Sequence, residues 1–393
     1  MSSGAARSAA EAAAEAAARA SYGRLLAWLA ARSRDVAAAE DALAEAFRAA
    51  LSAWPERGVP ERPEAWLLTA ARRSLGQAAR HRAVRAEAAA TLNLLADEAQ
   101  AAADDPASLP DERLKLLFVC AHPAIDPAAR APLMLQTVLG LDAARIASAF
   151  LVAPAAMGQR LVRAKARIRD AGIGFAVPER REWPDRLDSV LEAVYAAYGS
   201  GWEDVAGADP RRRGLAEEAL WLARLVAALL PTEPEAGGLL ALILHCEARR
   251  RARRGPDGAF VPLAAQDTAL WSAPLIAEAE AVLARAAAGG RPGRFQLEAA
   301  IQSAHAARAR TGHVDWPGVA LLYEGLARLS PTIGALVGRA AAVAEWQGAA
   351  RGLALLAELP EEAAGYQPFW ALTAHLEARL GRSAAARAAY ERA

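Results

Sequence analysis

The sequence predicts an all-α protein, and three observations carry that prediction. Hydrophobic residues make up 54% of the 393-residue chain while aromatics make up only 6%. The surplus is alanine, which loses no side-chain entropy on entering a helix. Little β-branched or aromatic material is left for a large sheet. Apolar positions also recur at helical spacing between breaks rich in proline and glycine. The length admits two or three domains of ordinary size.

Residues 1–86 form the first block. It is helical, with Trp54-Pro55, Gly58-Val59-Pro60 and Arg62-Pro63 expected to break it near the middle. Residues 87–112 are alanine-rich and acidic, with Asp97, Glu98, Asp104, Asp105 and Asp111 beside Pro106 and Pro110, which reads as a linker. A second compact block spans 113–177, and the stretch from Pro178 to Pro184 is the next hinge. Residues 185–393 read as a long series of amphipathic helices. Gly348 and Gly381 lie 33 residues apart, each between two helical segments, a period that suits a tetratricopeptide-like array.

Residues 141–169 are the most informative stretch. Asp142 is placed to cap a short helix that turns Ile146, Ala147 and Phe150 inward. After a brief turn, Pro154 suits the first position of a second helix. On it Met157, Leu161, Ala164 and Ile168 form an apolar stripe. Arg160, Arg163 and Arg167 form another face, with Gln159 and Lys165 at its margins, and no acid falls between Arg160 and Arg169. This is helix-turn-helix anatomy. Arginine pairs with guanine edges or clamps phosphate, and glutamine reads adenine. The pattern alone leaves two readings open, a DNA-facing helix and a solvated charged helix of an ordinary bundle.

A second basic cluster closes the first block: Arg72, Arg73, Arg80, Arg82 and Arg85, with Trp66 just upstream. Cations beside aromatics suit single-stranded DNA, whereas Trp54 and Trp66 also read as core anchors. The preceding helix carries Asp35, Glu40, Asp41 and Glu45, an acidic side expected to face solvent and suited to docking on a protein. Acid on one helix and base on the next explains why 46 basic and 45 acidic residues leave a net charge of only +1, which excludes a histone-like polycation.

Cys120 and Cys246 are too far apart in sequence to suggest a disulfide framework or a metal motif. Cys120 and His122 read as packing residues, and His245 and His305 as core histidines, each satisfied by one hydrogen bond. His305, His313 and Asp315 have the residue types of a catalytic cluster, but nothing in the sequence brings them together, so no enzyme is expected. No long uncharged apolar run and no signal-peptide core are seen, so a cytoplasmic protein with no membrane span is expected.

These residues together resemble the sigma-70-type RNA polymerase sigma factors. Tyr22-Gly23-Arg24-Leu25-Leu26, Ala39-Glu40-Asp41-Ala42, Ala46-Phe47, Trp54-Pro55 and Ala65-Trp66-Leu67-Leu68 are similar to region 2 of that family. Asp111-Glu112-Arg113-Leu114, His122-Pro123-Ala124, Ala149-Phe150-Leu151-Val152 and the run from Gln159 to Lys165 are similar to region 4. The nearest likeness is to the extracytoplasmic-function subgroup with a long C-terminal helical extension of the DUF6596 type. There Leu239-Leu240-Ala241-Leu242, Gln266-Asp267, Trp271, Asp315-Trp316 and Ser330-Pro331 match.

The resemblance implies a factor that binds core RNA polymerase and directs promoter-specific initiation, with no cofactor of its own because the chemistry belongs to the polymerase. The helix bearing Asp41, Glu45 and Phe47 would dock on polymerase. Trp66, Arg72, Arg73 and Arg80 lie in the stretch that captures and opens the −10 element. Gln159, Arg160, Arg163, Lys165 and Arg167 lie on the helix that enters the major groove of the −35 element. The linker 87–112 would thread through polymerase, and the extension 185–393 would regulate activity or recruit a partner protein. Gly76-Gln77 stands where the family has an isoleucine-aspartate pair. On that departure rests a second reading, a helical-repeat adaptor that binds polymerase or a partner without opening a promoter.

Overall fold

The computed structural model describes residues 3–83, 112–150, 152–202, 213–255 and 257–393. They are helical throughout, and the only β pairing among them is an isolated bridge between Arg254 and Phe260. The acidic linker, apart from Glu112 at its end, lies outside the described residues, as do Arg85 and the side chains of Arg80 and Arg82. The chain divides into two compact units, residues 1–219 and 220–393.

In the first unit α1 (Ser3–Ser33), α2 (Val36–Arg57) and α3 (Pro63–Ala83) pack on one another. Asp35 caps α2 by accepting from the Ala38 N–H at 3.0 Å, which satisfies one of the donors a helix start leaves open. The expected break at Trp54-Pro55 falls later: Pro55 lies within α2 and the chain turns at Gly58, where φ is +83°. Pro55 sits in the last turn, so the hydrogen bond it forfeits leaves most of the helix untouched. Pro63 then opens α3.

The same unit continues with α4 (Arg113–Cys120), α5 (Pro127–Leu139), α6 (Ala143–Ala149), α7 (Pro154–Asp170) and α8 (Trp183–Trp202). Helix α1 packs on both α4 and α5, so the first helices share a core with the helices that precede the helix-turn-helix segment. Leu25, Leu26, Leu29, Leu43, Leu67, Leu68, Leu116, Phe118, Leu133 and Met134 lie in it, all essentially inaccessible. Small residues permit the approach. A Cβ on Gly23 would fall 2.0 Å from the Val138 carbonyl oxygen, and one on Gly140 would meet the Tyr22 ring. The division between compact units differs from an extension that begins at residue 185. Helix α8 buries Leu187, Val190, Leu191 and Val194 and packs on α4 and α5. Arg186 donates to the Phe118 carbonyl at 2.9 Å.

The division falls inside α9 (Arg213–Leu229). In the second unit α10 (Pro234–Ala248) is buried almost all round and packs on α11 (Ala273–Ala287) and α12 (Arg294–Ala306). Glu235 caps α12, accepting from the N–H groups of Phe295 and Gln296 at 2.9 and 3.1 Å. After the short α13 (Arg308–Thr311) come α14 (Trp316–Leu329), α15 (Ile333–Gln347), α16 (Ala349–Ala357), α17 (Gln367–Arg379) and α18 (Ser383–Tyr390). The repeated glycines mark two helix pairs: Gly348 (φ +98°) joins α15 to α16, and Gly381 (φ +73°) lies between α17 and α18. Among the described residues no helix is long and apolar enough to cross a membrane.

Two glycine substitutions test the packing. Gly23→Ala drives a methyl into the Val138 backbone and should cost about 1–3 kcal/mol. Gly76→Ala adds a methyl in open space in mid-α3 and should stabilise by about 0.5–1 kcal/mol. Chemical denaturation of the two variants checks both, and a neutral Gly23→Ala contradicts the close approach of α1 to α5.

Candidate nucleic-acid interface

The helix-turn-helix forms as the sequence predicts. The Asp142 carboxylate accepts from the Arg145 N–H at 2.8 Å and caps α6. Pro154 occupies the first turn of α7, where its missing N–H costs nothing. Ile146, Ala147, Met157, Leu161, Ala164 and Ile168 are all buried, while Phe150 is half-buried. The four buried residues of α7 fix its rotation about its own axis.

Successive residues turn by about 100° around a helix, so the other positions follow. Opposite the buried stripe lies an outward pole of Ala155, Gln159, Val162, Arg163 and Ala166. All are exposed but the half-buried Ala166, and Val162 is 64% exposed. Arg160 and Arg167 occupy one flank and reach back to the α4–α5 region. Arg160 donates to the Ala128 carbonyl at 3.4 Å and Arg167 to the Ala124 carbonyl at 3.3 Å. Lys165 occupies the other flank and turns away from the pole. Its ammonium pairs with Glu40 of α2 at 2.5 Å and donates to Gln136 of α5 at 3.1 Å, with both charged side chains nearly buried. Of the five polar residues read from the sequence on this helix, the structure therefore sets Gln159 and Arg163 on the pole, Arg160 and Arg167 beside it, and Lys165 apart.

The Glu40–Lys165 pair also alters the reading of α2. Burial pushes the Glu40 carboxyl above its ordinary pKa of 4.5; Lys165 opposes that rise, and Asp41 adds to it. The expected acidic face was to include Asp35 and Glu40, but Asp35 is the helix cap and Glu40 points inward. Asp41 and Glu45 remain exposed, Glu45 paired with Arg48, and Phe47 is half-buried beside them.

In the second basic cluster, Arg73 is exposed and Arg72 half-buried. The Arg72 guanidinium lies 5.9 Å from the ring centre of Trp28, and that of Arg32 lies 3.7 Å from it. Burial and the neighbouring Arg32 lower the Arg72 pKa. Trp54 is a core residue, and the half-buried Trp66 packs edge-on against it with ring centres 5.6 Å apart. The core-anchor reading of Trp54 fits, while Trp66 keeps one part exposed. Arg80 belongs to α3, but its side chain is outside the described residues.

Cys120 is buried against Thr137 at 3.3 Å, its thiol pushed up to about 12 by desolvation. His122 accepts from the Ala124 N–H. The expectation that a hydrogen bond satisfies His245 is not met among the described residues: neither ring nitrogen has a hydrogen-bond partner there, and the Glu280 carboxylate is 3.5 Å away. Desolvation drives its pKa down to about 4, and the unpartnered ring costs stability. His305 packs edge-on against Trp316, and Asp315 caps α14.

Sequence reasoning missed Val162 and the partner of Lys165. A helical projection of α7 reveals the first; the second joins residues 125 positions apart, and no local signal announces it.

A model of a family of unknown function, DUF6596, matches residues 186–287, where the sequence reading places the start of its extension. Over 366 residues the chain is 39% identical to "Uncharacterized protein R00370" of Rhizobium meliloti (strain 1021), covering 92% of this chain and 86% of that protein. No solved structure matches.

Replacing Lys165 with Met leaves Glu40 buried without its cation and should cost about 3 kcal/mol at neutral pH. A carboxyl whose pKa is raised in the fold takes up a proton that the unfolded chain has released. The variant's deficit against wild type should therefore be smallest below about pH 4.5 and grow as the pH rises through the Glu40 pKa. Adding Glu40→Gln should recover much of the loss. Denaturation midpoints across pH check this, and equal stability of all three proteins contradicts it.

Proposed function

This chain belongs to the same family as the Rhizobium meliloti protein R00370, and we propose that it is an RNA polymerase sigma factor with a regulatory C-terminal helical domain. The observation that carries the reading is the rotation of α7. Its apolar stripe is locked into the core, its Lys165 flank is held by α2, and the pole left to solvent bears Gln159 and Arg163. A helix of that form fits the major groove, where arginine bonds guanine and glutamine bonds adenine with two hydrogen bonds each. Arg160 and Arg167, exposed or partly so beside the pole, are placed for phosphates, which fix register without reading sequence.

The same compact unit exposes Asp41 and Glu45 on α2, a docking surface for a basic face of core polymerase. Arg72, Arg73, Arg80 and Trp66 on α3 are suited to single-stranded promoter DNA, since cations track the backbone while a ring stacks on a base. The segment matched by DUF6596 lies where the resemblance places an extension that takes a regulatory partner. Under this reading the chain works in the cytoplasm and needs no cofactor, because polymerase supplies the chemistry. A second reading, an adaptor that docks without opening DNA, draws on Gly76, which softens the middle of α3 by about 1 kcal/mol relative to alanine.

Run-off transcription with purified core polymerase on a genomic promoter library separates the two. The full chain should produce discrete, reproducible start sites. Asp41→Arg should abolish them by weakening core binding, and Arg163→Ala should lower promoter affinity by about 1–3 kcal/mol. Tight binding to core without any specific start site contradicts the sigma-factor reading and leaves the adaptor.

A further inference from the structure

The outward pole of α7 is not uniformly polar. Ala155, Val162 and Ala166 run along one edge, and Gln159 and Arg163 along the other. Val162 is 64% exposed, near the middle of the helix. A single exposed apolar residue is ordinary on a protein surface, so its exposure by itself carries nothing. Its position does. It lies about 130° round the helix from the centre of the buried stripe of Met157, Leu161, Ala164 and Ile168, so no rotation that keeps this core can bury it. The small Ala155 and Ala166 on either side leave it standing proud. A Cβ on Gly158, one turn back, would meet nothing within 4 Å.

We propose that Val162 is a specificity-determining residue that packs on the C5-methyl group of a thymine, next to the base pair read by Gln159 or Arg163. The inference rests on the reading of α7 as the DNA-facing helix. The thymine methyl is the one apolar group that the major groove displays, and small apolar side chains recognise it by contact. From Ala155 to Ala166 the pole is about 16 Å long at about 1.5 Å per residue, enough to cross four or five base pairs. A valine set between a glutamine and an arginine thus adds a shape test for a methyl beside two hydrogen-bonding tests. A wholly polar helix face would accept thymine or uracil at that step with little difference.

The test uses the full chain assembled with core polymerase. Random duplexes are selected for binding, and the enriched duplex is remade with deoxyuridine in place of each thymidine in turn, which removes the methyl and leaves base pairing intact. One position should lose about four- to fivefold in affinity, the worth of one buried methyl. Val162→Ala should bind the thymidine duplex weaker by a similar factor and be indifferent to deoxyuridine there. Val162→Thr, which keeps one methyl and the same shape, should retain the sensitivity. An enriched duplex that tolerates deoxyuridine everywhere, or a Val162→Ala protein as sensitive as wild type, overturns the assignment of Val162 alone. Failure to enrich any duplex, with Arg163→Ala indistinguishable from wild type, overturns the DNA-facing reading of α7 and the assignment with it.

Discussion

One buried ion pair orients the first unit. Lys165 of α7 reaches Glu40 of α2 and Gln136 of α5, and so ties together three helices that alanine alone would hold loosely. Alanine gives these helices their stability but little area to bury, so close approach and a few directional contacts add to the cohesion of their leucine core. The close approach comes from Gly23 against the Val138 backbone and Tyr22 against Gly140. The pair supplies direction. With Lys165 anchored and the apolar stripe of α7 inward, Gln159, Val162 and Arg163 have nowhere to face but solvent.

The second unit solves the same problem differently. Helix α10 is enclosed by α11 and α12, and the contacts are made by small residues: Gly237 against Ala286, and Gly238 against the Gln296 backbone. Glu235 then places a carboxylate on the first free N–H groups of α12, where the helix dipole favours negative charge. Gly352 lies against Ala344 in the next helix pair. A chain poor in aromatics builds both its units by letting backbones come near one another.

Much of this was legible in the sequence, and the rest was hidden for identifiable reasons. The all-α class, the Asp142 cap, the Pro154 start and the buried stripe of α7 are local properties, set by composition and a 3.6-residue period. The glycine turns at Gly348 and Gly381 are local too. Hidden were features that depend on what lies opposite. Glu40 looked like part of an acidic surface because its partner is far away in sequence. Lys165 looked like part of a DNA-facing set because it sits among arginines, although it lies on a different side of the helix. Pro55 looked like a break because proline usually is one, yet in a final turn it is tolerated. The packing of α8 on α4 and α5 was likewise beyond what the Pro-rich stretch before it could reveal.

The functional reading joins two exposed surfaces of one compact unit, an acidic helix for a protein and a mixed polar and apolar helix for duplex DNA. The most direct measurement places a photoreactive amino acid at position 41 or at position 163 of the full chain and irradiates it with core polymerase and a selected duplex. The sigma-factor reading predicts a polymerase adduct from position 41 and a DNA adduct from position 163 in the same complex. A complex that forms yet yields no DNA adduct from position 163 contradicts it.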